Sequence, residues 1–312
     1  MSLLGIGLLL LVLVVFGVPI AIALGFVALA AMVTGPGGTG SIPNAALVMF
    51  DGATSFPLIA IPLFILAGAI MNASGISRRL IAFASAVVGF IRGGLSMVTI
   101  SASLFFAEIS GSAVADVAAL GSILIPAMKK KGYSKAFAAA VTSSSATLAV
   151  IIPPSIPMII YGVMSGSSIV ELFVAGIIPG VLGGGLMMFV AYLLARKHDF
   201  PREEAFRLQR VWETFKDAGW ALVLPVIILG GIFSGWVTAT EGEGLAGVAS
   251  IFIGGVVYRE LDVAELRRAM LEGGQQTAVV MLLVAASALL GDYVTDVRVP
   301  QRVATGIREL TQ

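Results

Sequence analysis

Long apolar runs recur along this sequence, and they constrain the possible folds more than any other feature. A helix that crosses a bilayer needs about 20 predominantly apolar residues, and the first run extends from Leu3 to Val33. Only 12% of the 312 residues are charged, whereas soluble domains carry about 25%. Too little polar surface remains to cover a water-soluble globule, so the sequence predicts an all-α polytopic membrane protein in a lipid bilayer.

The first apolar run differs from a cleavable signal peptide. No Lys or Arg precedes it, and it is longer than the roughly 7–15 residues of a signal-peptide core. We therefore predict one retained spanning helix over Leu3–Val33, and a cleaved signal is the less favoured alternative.

Several chemistries are excluded by what the sequence lacks. It has no cysteine and a single histidine, His198, so a thiolate or multi-histidine metal site cannot form within the chain. The net charge of +1 gives no indication of a nucleic-acid partner. No HExxH, GxSxG or P-loop motif is present. The chain is predicted not to be an enzyme and to need no cofactor.

Six further segments are predicted to span the membrane, with charged segments on its surface between them. The predicted spans are Pro57–Met71, Tyr133–Ser165, Ile169–Ala195, Ala218–Trp236, Leu245–Tyr258 and Thr277–Gly291. The charged segments Ile76–Arg92 and Arg259–Glu272 are predicted to be surface arms, and Pro43–Phe56 is predicted to lie in the interface. Thr238–Gly244 is predicted to interrupt the helices on either side of it.

The segment Leu95–Met128 is too long for a single span. As one helix it would extend about 50 Å, whereas the hydrocarbon core is about 30 Å thick. Ser110-Gly111-Ser112 divides it into two short limbs, which predicts a re-entrant helical hairpin. The positive-inside rule agrees, because a hairpin that enters and leaves on one side places Lys129–Lys131 with the other basic segments in the cytoplasm.

A weak inverted repeat relates two parts of the chain. Residues 57–92 and 275–310 each contain a span followed by an arm, and the two spans are predicted to run in opposite directions, as in ion transporters with inverted topology. The second copy ends where its hairpin would begin, so a second hairpin is predicted to be missing. We divide the chain into scaffold helices and an arm (1–93), a transport half with the hairpin and a broken helix (94–168), further scaffold helices and arms (169–272), and the start of the second repeat (273–312).

The hairpin tip and a proline pair are the candidate ion sites. The first limb ends with unpaired carbonyls near Ser110, which suit a cation, and the second begins at Ser112 with free N–H groups, which suit an anion. Pro153-Pro154 lacks two N–H donors, which frees the carbonyls of Ala149 and Val150. A small-residue packing motif and a proline kink satisfied by serines are the alternative interpretations.

Polar side chains near these breaks are candidates for lining a substrate cavity. Glu108 and Asp116 lie near the hairpin midpoint, where an ionised group is costly and therefore often functional; a structural ion pair is the alternative. Glu241 and Glu243 are open to the same two interpretations. The predicted cavity-lining residues are Glu108, Asp116, Ser144, Ser145, Thr147 and Ser155.

The central sequence resembles the large membrane subunit of TRAP transporters. The resemblance runs through essentially the whole chain and is most specific in its centre. The matching motifs are FAEISGSAVAD (Phe106–Asp116), GSILIPAM (Gly121–Met128), AAAVTSSS (Ala138–Ser145), IIPPSIP (Ile151–Pro157) and TATE (Thr238–Glu241).

The resemblance implies an elevator-type, sodium-coupled transporter of the bacterial inner membrane. It also implies a small four-helix membrane partner, a periplasmic substrate-binding protein, and organic-anion substrates such as C4-dicarboxylates or sialic acids. The family's sodium site carries over onto Ser110, Gly111, Ser112, Ala149, Ile152 and Pro153.

Two departures from the family pattern bear on these expectations. The chain has Ala149-Val150 where the family usually has Gly-Pro. The second hairpin and the final broken helix are absent, so we expect this chain alone to insert in the membrane without coupled uptake. A non-transporting structural or assembly subunit and a channel are the other classes that the sequence leaves open.

Overall fold

The computed structural model describes residues 3–35, 38–203, 205–299, 301 and 305. These residues form helices and connecting turns, with no strand among them, which confirms the predicted all-α architecture. The α-helices are α1 (Leu3–Val15), α2 (Ile20–Val33), α3 (Ile42–Thr54), α4 (Ala60–Ala73), α5 (Ile76–Val88), α6 (Gly94–Ser110), α7 (Ala113–Lys130), α8 (Lys135–Ala146), α9 (Leu148–Ile151), α10 (Ile156–Ser165), α11 (Ile169–Lys197), α12 (Leu208–Phe233), α13 (Ala239–Phe252) and α14 (Val263–Asp296).

Five helical segments of the described chain are long and apolar enough to cross a membrane. They are Phe56–Ala73, Lys135–Ser165, Ile169–Lys197, Leu208–Phe233 and Val263–Asp296. The chain forms two compact units, residues 57–274 and residues 1–56 with 275–312. All of the candidate site residues belong to the first of these.

The prediction of one helix over Leu3–Val33 is wrong, because the structure divides this run into α1 and α2. Gly17 adopts a left-handed φ of 79° after α1, a conformation that ends many helices. Pro19 follows and has no N–H for a helical hydrogen bond. In the unit formed by residues 1–56 and 275–312, Ile6 of α1 and Val27 of α2 share a buried cluster with Leu289 and Tyr293 of α14.

The predicted separation of the Arg259–Glu272 arm from the Thr277–Gly291 span is also wrong. Both lie largely in α14, which runs without a break from Val263 to Asp296. Gly273 lies inside this helix and faces α4, since a Cβ there would lie 3.4 Å from the Cα of Leu66, in ordinary contact. The arm predicted for the second repeat, Val297–Leu310, lies mostly outside the described residues, and the inverted repeat stays a prediction.

The predicted interruption Thr238–Gly244 is shorter in the structure, because α13 already begins at Ala239. Thr238 and Glu241 form a capping box, in which the Glu241 carboxylate accepts from the Thr238 N–H at 2.8 Å and the Thr238 hydroxyl accepts from the Glu241 N–H at 3.3 Å. Such reciprocal bonds satisfy the first free donors of a helix. The TATE motif therefore starts a helix.

The arm helix α5 is attached to neighbouring segments by a charged cluster. Arg79 donates to Glu260 at 2.8 Å and to Asp217 at 3.3 Å, and its guanidinium lies 3.8 Å from the centre of the Tyr258 ring. Arg78 also pairs with Glu260. The hydrogen bond from Arg79 holds the pKa of the Glu260 carboxyl below its ordinary value of 4.5.

The lowered pKa of Glu260 predicts how the stability of the fold changes at acidic pH. Because the folded-state pKa is depressed, the contribution of Glu260 is present above pH 4.5 and is lost as the pH falls below it through the folded value. Glu260→Gln should therefore lower the unfolding temperature at pH 7 by about 2 °C and flatten its fall on acidification. Glu265→Gln, which removes the exposed pair with Arg268, should change neither; equal effects of the two variants would contradict the prediction.

Candidate functional site at two helix breaks

The predicted hairpin tip is a break between two helices that contact each other. α6 ends at Ser110, and Gly111 takes a left-handed φ of 49° while its N–H donates to the Ala107 carbonyl. Ser112 is extended and caps α7, with its hydroxyl accepting from the Ala115 N–H at 3.4 Å. α6 and α7 pack against each other, which confirms the helical hairpin; its re-entrant position in the membrane stays a prediction.

The proline pair breaks the second predicted element. α9 ends at Ile151, the chain is extended at Ile152, and α10 begins at Ile156. The Val150 carbonyl, freed by the missing proline N–H, accepts from the Ser155 hydroxyl at 2.8 Å. Pro157 does not add a second break, because it lies in the first turn of α10, where a missing N–H has no helical partner to lose.

The two breaks meet in the structure. The Ile156 N–H, at the start of α10, donates to the Gly111 carbonyl at 3.4 Å. A methyl group at Gly111 would lie 2.6 Å from the Phe64 ring and 3.1 Å from the Pro154 carbonyl oxygen. Deeper in the unit, the Ser103 hydroxyl donates to that of Ser145 at 2.9 Å, which joins α6 to α8. The tip and the break are therefore in direct contact.

Most residues assigned to the sodium site lie at this junction. Ala149, Ile152 and Pro153 are buried, and Ser112 is half-buried. The side chain of Ser110 lies outside what the structure describes. The groups available are carbonyl and hydroxyl oxygens, the ligands that hard cations prefer. Within the described residues, no cluster of His, Cys, Asp and Glu could hold a metal ion.

Two carboxyl groups lie on opposite sides of the tip. Glu108 is half-buried in the last turn of α6, where the helix dipole disfavours a negative charge. Asp116 is fully buried in the first turn of α7, where the dipole favours one. A cation near the end of α6 would therefore offset an unfavourable charge arrangement.

The predicted cavity-lining hydroxyls of α8 and the proline break bond to different partners. Ser145 contacts Ser103, whereas the Ser144 hydroxyl donates to the Ala140 carbonyl of its own helix at 2.6 Å. The Thr147 hydroxyl donates to the Ser144 carbonyl at 2.6 Å. Ser155 is fully buried at the break and donates to Val150.

Sequence reasoning missed three residues that shape the junction. Phe64 of α4 is fully buried beside Gly111. The other two are Gly176 and Gly180 of α11, where a Cβ would meet the Ile151 carbonyl and Ile152, respectively. Gly184, in a glycine triplet that the sequence does mark for close helix contact, shares their face, and a Cβ there would lie 2.8 Å from Leu104. Spacing of small residues by four is a signal for close helix packing and could have found Gly176 and Gly180. Nothing in the sequence distinguishes Phe64 from its apolar neighbours.

Glu241 and Glu243 differ in their environments. Glu241 is the exposed capping residue of α13, whereas Glu243 is 3% exposed. The Oε1 atom of Glu243 has no hydrogen-bond partner among the described residues. The two carboxyls therefore do not form one site, which their spacing in the sequence had left open.

Comparison with known proteins identifies the family. The sequence profile of "Tripartite ATP-independent periplasmic transporter, DctM component" matches residues 8–312. The chain belongs to the DctM family. Membership confirms the predicted resemblance, and DctM-family relatives are permease subunits of the inner membrane rather than enzymes.

Three relatives show the range of this family. The chain is 41% identical over 304 residues to the isethionate TRAP transporter permease protein DctMQ of Oleidesulfovibrio alaskensis, covering 95% of this chain and 47% of the relative. It is 40% identical to the C4-dicarboxylate TRAP transporter large permease protein DctM of Pseudomonas aeruginosa, covering 86% and 63%. It is 41% identical to the sialic acid TRAP transporter permease protein SiaT of Haemophilus influenzae, covering 80% and 41%. The chain thus spans about half of the length of these relatives.

Proposed function

We propose that this DctM-family chain is the large membrane subunit of a sodium-coupled, binding-protein-dependent secondary transporter. It takes up an organic anion by an elevator mechanism, with a small four-helix membrane subunit and a periplasmic substrate-binding protein as partners. The observation that carries the proposal is the contact between Gly111 and the Pro153-Pro154 break. Transporters commonly build their ion and substrate sites from such discontinuous helices.

Sodium is proposed to bind between the tip and the break. The carbonyls of Gly111, Ala149 and Ile152 and the hydroxyl of Ser112 are the proposed ligands. Each carbonyl oxygen has two lone pairs, so Gly111 can accept from Ile156 and still coordinate an ion. Glu108 lies less than one turn from this point, and its carboxyl adds negative potential.

The substrate is proposed to be an organic anion such as a C4-dicarboxylate or a sialic acid. Isethionate, the C4-dicarboxylates and sialic acid, which name the three relatives, all carry an acidic group. The first turn of α7, which begins after Ser112, presents helix N–H groups that attract an anion. The side chains of Asp116 and Ser155, both fully buried, are proposed to shape the cavity beside it.

The test compares two serine caps. Ser112→Ala removes a helix cap and a proposed sodium ligand, whereas Ser134→Ala removes only the cap of α8, which accepts from Phe137 N–H at 3.2 Å. In proteoliposomes containing a full-length permease that includes this sequence, together with the small subunit and the binding protein, Ser112→Ala should raise the sodium concentration for half-maximal uptake about tenfold. Ser134→Ala should leave that concentration unchanged.

Two outcomes would contradict this proposal. An identical sodium dependence in both variants would show that Ser112 is not a ligand of the ion site. Uptake by the unaltered permease without a sodium gradient would show that transport is not coupled to sodium.

A further inference from the structure

An apolar cleft of about 320 Å³ lies between α6, α8 and α11, away from the junction of the two breaks. Its walls are Phe137 and Ser144 of α8 with Leu186, Val190 and Leu194 of α11, and Ile100 of α6 contributes to its lining. The three α11 residues recur every four positions and cover about 12 Å along the helix axis. The cleft is therefore elongated along two neighbouring helices.

The lining favours a hydrocarbon occupant over a polar solute. Ser144 is its one polar residue, and its hydroxyl already donates to Ala140 within α8 at 2.6 Å. An apolar cavity offers water too few partners to hold it. The side chains of Leu186 and Val190 are 65% and 52% exposed, so the cleft is accessible from the outer surface of these membrane helices.

One end of the cleft is basic. α11 runs opposite to the segment from α8 to the proline break, because Gly183 faces Leu148 of α9 and Gly180 faces Ile152, and the Phe137 ring of α8 lies 4.9 Å from that of Phe200, just beyond α11. Leu194 and Phe137 therefore lie at the same end. Beyond them come Lys135 at the start of α8 and the pair Arg196 and Lys197 at the end of α11.

The charges at this end are available to a ligand. Lys135, Arg196 and Lys197 are exposed, and within the described part of the chain none of them forms an ion pair. Nearby carboxylates are engaged elsewhere, since Asp199 pairs with Arg92 and Glu203 with Lys131. An apolar cleft that ends in three cations, none of them in an ion pair with a described residue, matches a molecule with a hydrocarbon chain and an anionic head.

We propose that this cleft binds one anionic phospholipid. An acyl chain lies between α8 and α11 against Val190, and the phosphate group contacts Lys135, Arg196 and Lys197. Basic groups at the cytoplasmic ends of spanning helices attract anionic headgroups in this way. The lipid would fill a gap that the protein leaves beside the broken helix.

The experiment titrates delipidated, purified protein with phosphatidylglycerol or phosphatidylcholine of identical chains and counts retained lipid by native mass spectrometry. Phosphatidylglycerol should bind at least tenfold more tightly. Each neutralisation among Lys135→Gln, Arg196→Gln and Lys197→Gln should weaken its binding about fivefold. The binding of phosphatidylcholine should weaken less, because its choline cation offsets the phosphate charge. Val190→Trp, which fills the cleft, should weaken the binding of both lipids.

Matched controls make the result decisive. Val181→Trp places the same bulk on α11 at a residue that is 62% exposed and does not line the cleft, so it should bind lipid as the unaltered protein does. Equal retention of the two lipids by the unaltered protein would overturn the proposal, as would equal binding by the two Trp variants. Competition by inorganic phosphate alone as effective as that by the lipid would show that the acyl chain has no role and would also overturn it.

Discussion

In a full-length permease that includes this sequence, Gly111→Ala is expected to abolish uptake and to lower the free energy of unfolding by about 3 kcal/mol. Two causes add together. The left-handed φ of 49° is strained for any residue with a Cβ. The added methyl group would lie 2.6 Å from the fully buried Phe64 ring and 3.1 Å from the Pro154 carbonyl oxygen. Because the ring and the backbone at Pro154 cannot both move aside cheaply, the tip should separate from the break.

Gly132→Ala is the matched control for this effect. Gly132 also has a left-handed φ, of 88°, but a Cβ there would meet nothing within 4 Å. The control therefore carries the backbone strain without the clash, and we expect it to cost about 1 kcal/mol and to preserve uptake. Thermal unfolding and proteoliposome uptake measure the two quantities. Similar losses in both variants would show that contact with Phe64 and Pro154 is unimportant.

Gly180→Val is expected to cause the second largest loss, about 2–3 kcal/mol of stability and most of the transport activity. A Cβ at Gly180 would meet the side chain of Ile152 and lie 3.6 Å from its Cα. Since Ile152 is the extended residue at the proline break, the added bulk would displace the backbone that carries a proposed sodium ligand.

The control for Gly180 lies on the same helix. Gly185 is exposed, and a Cβ there would meet nothing within 4 Å, so Gly185→Val should be nearly neutral in stability and uptake. A raised sodium requirement in Gly180→Val, with the small subunit still bound, would distinguish displacement of Ile152 from general unfolding. Equal behaviour of the two valine variants would contradict a close contact between α11 and the break.

The positions of the helix breaks were predictable because local chemistry determines them. A glycine between two serines and a pair of prolines each remove helical hydrogen bonds or favour non-helical backbone, whatever surrounds them. Errors arose where a local signal was overlooked and where a helix continues through a glycine. The change from charged to apolar residues after Glu272 indicated a boundary, but α14 continues through it. The polar run after Thr238 looked like a loop, but the capping box makes it a helix start.

The candidate site was predictable in part for the same reason. Gly111 and the proline pair were identified from their residue types, and their contact agrees with the expected arrangement. The role of Phe64 could not be predicted, because it depends on a contact with Gly111, which lies 47 positions later in the sequence. The hydroxyl directions of Ser144 and Ser145 depend on helix rotation, which composition alone does not determine.

The hydrogen bond from Ile156 to Gly111 is long, at 3.4 Å. Even a backbone hydrogen bond of good geometry contributes only about 1 kcal/mol net, which is about a fivefold difference in population between two states. Packing against Phe64 adds to this, but neither contact is strong enough to make the tip immobile. The gain of one ion ligand, or the change of one side chain, therefore supplies enough free energy to change the fraction of time that the hairpin tip contacts the broken helix.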